Sequence, residues 1–180
     1  MSFDEGMTLT TSRLTLRPFG AADTDATLAA GDDPEMLRWM PFAAEQTRES
    51  ARAWCTVHAH EDPGQKINFA IVPADGQCAG SIGLSRAAWD GGRVEVGYWI
   101  APWVRRRGYA VEAVQAVTRY AFDKGLHRVE LLAATGNLAS QGVAVKAGFT
   151  REGVLREALV LPGGGRADAV LFGLLRGDVV

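Results

Sequence analysis

The chain has only two cysteines, Cys55 and Cys78, in 180 residues, too few for a disulfide framework in a domain of this size. Cys55 precedes His58 and His60, but the spacing leaves no room for a full zinc ligand set, and no metal is expected. No uncharged apolar run reaches the ~18 residues that cross a bilayer, so no membrane association is expected. The opening Met1-Ser2-Phe3-Asp4-Glu5-Gly6 is acidic and short of apolar residues, which excludes a secretory signal and makes the cytoplasm the expected compartment. Charge of one sign is lacking too: 19 Lys and Arg against 21 Asp and Glu leave a net −2. That balance argues against nucleic acid as a partner. Neither a Gly-x4-Gly-Lys-Ser/Thr loop nor a Gly-x-Gly-x-x-Gly fingerprint occurs, which excludes two common nucleotide folds.

What is present fits one globular α/β domain over residues 1–180, with 47% hydrophobic and 22% charged residues. Alternation in Arg13-Leu14-Thr15-Leu16-Arg17 predicts a first strand over Leu9 to Pro18. Helices are predicted over Ala21 to Ala30 and Thr47 to His60, the second capped by Thr47. The connection between them, Asp32-Asp33-Pro34 through Trp39-Met40-Pro41-Phe42, reads as irregular and aromatic-rich, a segment that can shape a substrate mouth. Asn68 to Val72 and Cys78 to Ser85 form a strand pair, and Arg93 to Ile100 a further strand. Gly108 to Lys124 is the strongest helix, with Val111, Val114, Val117 and Ala121 on one face and Glu112, Gln115, Arg119 and Asp123 pointing away. A short strand over Arg128 to Ala134 and a short helix over Leu138 to Lys146 follow. Two tail strands, Phe149 to Leu161 and Arg166 to Leu174, turn on Pro162-Gly163-Gly164-Gly165. The sheet is therefore mixed.

Arg105-Arg106-Arg107-Gly108-Tyr109-Ala110 lies between a strand and the strongest helix. A helix N-terminus presents unpaired N–H groups and about half a positive charge. Gly108 lets the backbone approach a ligand closely, Ala110 keeps the first turn small, and three guanidinium groups stand beside them. The turn suits a polyanion, most simply a pyrophosphate; alone, it also reads as a solvated basic corner.

Arg105-x-x-Gly108-x-Ala110, Asn137-x-x-Ser140 and Lys146-Ala147-Gly148-Phe149, in this order, resemble the GNAT N-acetyltransferases. Glu95-Val96-Gly97-Tyr98-Trp99-Ile100, Arg151-Glu152-Gly153 and the opening Thr11 to Pro18 resemble the branch that acetylates ribosomal-protein N-termini. The resemblance implies a central, splayed, mixed and mostly antiparallel sheet flanked by helices. Acetyl-CoA or another acyl-CoA would lie in the gap between the strands Glu95 to Ile100 and Arg128 to Ala134. The pyrophosphate would rest on Arg105, Arg106, Arg107, Gly108, Tyr109 and Ala110. Backbone groups near Trp99 and Ile100 would pair with the pantetheine arm, and Asn137 would hold it from the other side. Lys146 would meet the phosphates or lie on the surface.

Transfer to an amine needs a free lone pair, a polarised carbonyl and a stabilised thiolate. An α-amine of pKa ~8 costs about 1.4 kcal/mol to deprotonate at pH 7, a lysine about 4.6. A weak base acting through water therefore suffices for a peptide N-terminus or a small primary amine. Glu95, beside the implied thioester, is the candidate base; a surface carboxylate paired with Arg93 or another cation is its alternative. Ser140, one turn past Asn137, is placed to donate to the departing sulfur. Tyr98 and Trp99 alternate, so only one of them can face the acyl group. Many members of the family carry an acid tyrosine seven residues after this asparagine, where this chain has Ala144. In the ribosomal branch a glutamate follows the serine by nineteen residues, where this chain has Leu159. Glu157 is nearby, on the same face if the strand is regular. The expected activity is N-acyl transfer from acyl-CoA to an amine, with a non-catalytic acyl-CoA sensor as the alternative. The tail strands offer an edge for a homodimer.

Overall fold

A computed structural model describes residues 1–40 and 46–178. Among these residues eight strands form one sheet: β1 (Leu9–Thr10), β2 (Leu14–Arg17), β3 (Ile67–Pro73), β4 (Gly80–Ala88), β5 (Arg93–Ile100), β6 (Arg128–Ala134), β7 (Thr150–Val160) and β8 (Arg166–Leu175). Their order is β1-β2-β3-β4-β5-β6-β8-β7, and every neighbouring pair is antiparallel except β5 and β6. Among the described residues five α-helices accompany them: α1 (Thr24–Gly31), α2 (Pro34–Trp39), α3 (Arg48–Thr56), α4 (Tyr109–Asp123) and α5 (Leu138–Lys146). Among the described residues no helix is long and apolar enough to cross a membrane.

The core follows from strand alternation. On β3, Phe69 and Ile71 join the main cluster with Leu16, Ile82, Val94, Val114, Val117, Leu131 and Phe172, whereas Ala70 and Val72 join a smaller one with Phe19, Cys55 and Cys78. A strand buried on both faces reads as a continuous apolar run, as this one does. The four positions expected on the inner face of α4 are buried, apart from half-buried Val111. Trp54 packs edge-on against Phe19, and Trp89 lies 4.9 Å from Phe3, so both are packing residues. Burial pushes the Cys78 thiol up to about 12 and raises that of Cys55 as well, leaving both as small apolar side chains.

Three local expectations need correction. Leu9 to Pro18 is not one strand: β1 and β2 pair with each other, Leu9 opposite Leu16, around a turn in which Leu14 N–H donates to the Thr11 hydroxyl. The connection after Asp32 is not irregular, because Asp33 caps α2 by accepting from Met36 N–H, and Pro34 stands in its first turn. Both signals favour a helix start. Pro41 and Phe42 lie outside the described residues. Finally, β7 is not regular: its register against β8 shifts between Leu155 and Leu159, and Glu157 sits at φ 52°. The even step that would put Glu157 and position 159 on one face therefore does not apply.

Candidate functional site

β5 and β6 run side by side only from Arg93 opposite Arg128 to Glu95 opposite Glu130. Beyond that point β5 continues to pair with β4 as far as Ile100 opposite Gly80, while β6 continues with β8 as far as Ala134 opposite Ala169. The facing backbone edges of Val96–Ile100 and Leu131–Ala134 are thus left apart. This divergence is the expected splay, at the expected strands.

The β5 side of the opening ends in the arginine turn. Gly108 caps α4 at φ 82°, a left-handed conformation that any side chain would strain, and it supplies no capping side chain. The N–H groups of Tyr109, Ala110 and Val111 have no partner among the described residues, which leaves an anion-seeking helix end. Arg106, itself at φ 65°, and Arg107 are exposed, and their guanidinium groups make no ion pair among the described residues. Arg105 differs from the other two. Its guanidinium pairs with Asp33, and its Nε donates to the Ile100 carbonyl at 3.2 Å. Two of the three guanidinium groups are therefore free for a ligand, and the Ile100 carbonyl is engaged. Burial works to raise the Asp33 carboxyl, but the bonds from Arg105 and the Met36 N–H outweigh it and hold the group below its ordinary range.

Sequence reasoning missed the brace beneath this turn. Arg13, in the β1–β2 turn, donates to the Arg107 carbonyl at 2.9 Å and to Glu112 through Nε at 2.6 Å, and lies over the Tyr109 ring. Glu112 does not point away: it also accepts from the Thr11 and Ser12 hydroxyls and the Arg13 N–H, and is only 15% exposed. Burial acts against its charge, but these bonds win and its carboxyl is lowered. The contact spans 99 positions of sequence, so no local pattern could show it.

On the other side, Asn137 caps α5 by accepting from Ser140 N–H through Oδ1 at 3.0 Å, and its Nδ2 has no partner among the described residues. The Ser140 hydroxyl is 3.1 Å from the Tyr98 hydroxyl, which donates to it. Tyr98 rather than Trp99 thus faces α5; Trp99 is buried opposite Ser81. Lys146 is exposed in the last turn of α5, six residues and so ~9 Å of helix beyond Ser140. α2 spans the end of the opening. Asp33 ties it to Arg105, and a Cβ on Gly136, just before Asn137, would lie 3.1 Å from the Trp39 ring.

Glu95 stands where the strands part. Its cation partner is Arg86, at 2.9 Å, not Arg93. Burial raises its carboxyl, the Arg86 pair lowers it, and Glu130 raises it; the net direction is up. An upward shift suits a general base. By alternation Glu95 lies on the opposite face from Tyr98 and ~10 Å back along β5, so any proton path from Glu95 to the region of Ser140 runs through water. Among the described residues no group of three or more His, Cys, Asp or Glu is arranged to hold a metal.

This chain resembles known proteins in both sequence and fold. Residues 13–150 match the model of the acetyltransferase (GNAT) domain. The chain is 33% identical over 152 residues to the uncharacterized N-acetyltransferase YoaA of Bacillus subtilis, covering 83% of this chain and 86% of that one. The fold superposes on Mycobacterium smegmatis RimJ, solved with CoA-disulfide, with a TM-score of 0.86 at 22% identity over 99% and 92% of the two chains. It also superposes on the microcin C7 self-immunity acetyltransferase MccE, solved with acetyl-CoA and AMP, with a TM-score of 0.83 at 18% identity over 92% and 93%. With the strand splay, the open α4 terminus and the matching of most of its length, this chain belongs to the GNAT family and is an acyl-CoA-dependent N-acetyltransferase.

Proposed function

We propose that residues 1–180 act as one domain that binds acetyl-CoA in the β5–β6 opening and transfers its acetyl group to a primary amine, either a peptide N-terminus or a small molecule. The observation that carries this reading is the parting of β5 from β6 after Glu95, beside an α4 terminus whose first three N–H groups have no partner among the described residues. The fit is chemical as well as spatial. Arg106, Arg107 and the N–H groups of Tyr109 and Ala110 suit a pyrophosphate, with Gly108 allowing close approach and Lys146 as a more distant cation. The free edge of β5 up to Trp99 and Ile100 and the Asn137 Nδ2 suit the amides of a pantetheine arm. Arg105 serves by holding the turn rather than by contacting phosphate.

The acyl-CoA brings an already activated thioester, so the protein has little covalent work to do. Glu95 accepts a proton from the amine through water, a task within reach of a carboxylate when the amine has a pKa near 8. Ser140 donates a hydrogen bond to the sulfur as charge gathers there; a serine hydroxyl is too weak an acid to give the proton up. The exposed Val154, Leu155 and Val160 on the outer strand β7 are where we place a homodimer contact.

Calorimetry with acetyl-CoA tests the reading. Wild type is expected to bind, and Arg106→Ala combined with Arg107→Ala to lose at least tenfold in affinity, about 1.4 kcal/mol. No binding by wild type would refute the cofactor site. Binding followed by turnover with a panel of N-terminal peptides and small amines identifies the acceptor class, whereas binding with no turnover on any amine would favour an acyl-CoA sensor.

A further inference from the structure

The chain lacks a tyrosine seven residues after Asn137; Ala144 fills that position and is fully buried in the core. A phenol nevertheless reaches the start of α5, from another element. Tyr98 projects from β5 across the opening, and its hydroxyl donates to the Ser140 hydroxyl at 3.1 Å. Each of these two hydroxyls has the other as its side-chain hydrogen-bond partner among the described residues. The bond therefore joins the two sides of the splay, β5 on one and the helix after β6 on the other.

Relative acidity makes the pair directional, because a phenol is a stronger acid than an alkyl hydroxyl and is the better donor of the two. A hydroxyl has one hydrogen and two lone pairs. Because Tyr98 gives its hydrogen to Ser140, the serine hydrogen is left to point elsewhere, and a hydroxyl that accepts becomes a stronger donor by about 10–30%. The Ser140 N–H is already taken by Asn137, so the backbone is fixed and the hydroxyl is the only donor Ser140 can offer. We infer that Tyr98 is a positioning residue for acyl transfer: it orients the Ser140 hydroxyl so that its hydrogen is directed at the sulfur of the bound acyl-CoA. This rests on the reading of Ser140 as the sulfur's donor given above.

The step balances without a further reactant. The amine nitrogen forms a bond to the acyl carbon, the carbon–sulfur bond breaks, and its electron pair goes to sulfur. The proton lost by nitrogen leaves through water, and an equivalent proton reaches the sulfur from solvent. Ser140 and Tyr98 keep their own hydrogens throughout. Burial raises the Tyr98 phenol, so the group stays a donor at neutral pH.

The test needs no acceptor. CoA itself is bound to the protein, and its thiol is titrated by the ultraviolet band of the thiolate. The bound thiol is expected to have a pKa below that of free CoA. Tyr98→Phe should raise it by half a unit or more, about threefold in the ionisation constant, with CoA affinity held within twofold. Ser140→Ala should raise it at least as far, and the double variant no further than Ser140→Ala alone, because Tyr98 acts through the serine. A site-specific fluorotyrosine at position 98, a more acidic phenol in the same packing, should shift the thiol the opposite way, and serves if Tyr98→Phe does not fold. An unmoved thiol in Tyr98→Phe or in the fluorotyrosine protein, or additive effects in the double variant, would overturn the inference. So would tighter CoA binding by Tyr98→Phe with an unmoved thiol, which would make the pair a mere closure of the opening. Absence of CoA binding by wild type, seen in the calorimeter before any titration, overturns the cofactor reading itself and so is distinct from these outcomes.

Discussion

The two sides of the opening are built in different ways. The α5 side is local: Asn137 caps its own helix three residues on, and Ser140 takes its place in that first turn. The arginine turn on the β5 side is held from afar. Arg13 reaches it across 99 positions through Glu112, and Asp33 reaches Arg105 across 72. A helix that caps itself keeps its shape on the strength of its own sequence. A turn with a left-handed glycine and a left-handed arginine stays in place only if its surroundings over-determine it. The physical lesson is that the proposed phosphate side depends on distributed ion pairs, and should be the more sensitive to substitutions far from any ligand.

The largest expected effect probes the turn directly. Gly108→Val places a branched side chain at φ 82° and beside Arg13, and should weaken acetyl-CoA binding about a hundredfold, roughly 2.7 kcal/mol by calorimetry. An affinity unchanged by this substitution would break the comparison, because the turn would not then be the ligand's seat. Next comes the brace. Arg13→Ala and Glu112→Ala should each lower acetyl-CoA affinity about three- to tenfold, and a double-mutant cycle should show strong coupling, since each removes the same contact. Additive losses would mean that the two residues act separately.

The local side should respond less in affinity and more in stability. Asn137→Ala removes the cap of α5, at a cost of about 1 kcal/mol, and should lower the melting temperature by roughly 2–4 °C. A loss much larger than this would show that α5 is not self-sufficient. The smallest effect is electrostatic. The Asp33 carboxyl is held below its unfolded value of ~3.9, so its contribution to stability is in full force above that value and fades as pH falls through the lower, folded one. Thermal melting followed from pH 6 downwards should therefore be steeper in wild type than in Asp33→Asn, with the difference confined to the acid range below about pH 4. Glu95 has the opposite sign. With its carboxyl raised, activity that depends on it as a base should begin to fall at a pH above the ordinary ~4.3, and Glu95→Gln should remove that limb of the profile.

Much of this was visible in the chain as a string. The inner face of α4, the extents of β6 and α5, the Thr47 cap and the turn at Pro162 to Gly165 follow from periodicity and turn chemistry, which act over a few residues. The family was legible because Arg105-x-x-Gly108-x-Ala110 and Asn137-x-x-Ser140 sit on two short local structures. α2 was legible in principle, since Asp33-Pro34 is a helix start, but its six residues are too short for a periodic signal. The misplacement of Glu157 came from assuming a regular strand where two extra residues are accommodated between Leu155 and Leu159.

The sequence by itself determined most of the helices and strands, α2 and the β1–β2 turn excepted, where the anion-seeking N-terminus lies, and which asparagine caps α5. Those are decided by neighbours a turn or a pleat away. Only the tertiary structure decided that Arg105 is committed to Asp33, that Glu112 is buried under Arg13, that Glu95 pairs with Arg86, and that Tyr98 reaches Ser140. Each of these joins residues on different elements, and the partner of a charged or hydroxyl side chain is fixed by how the sheet and helices pack, which no spacing along the chain encodes.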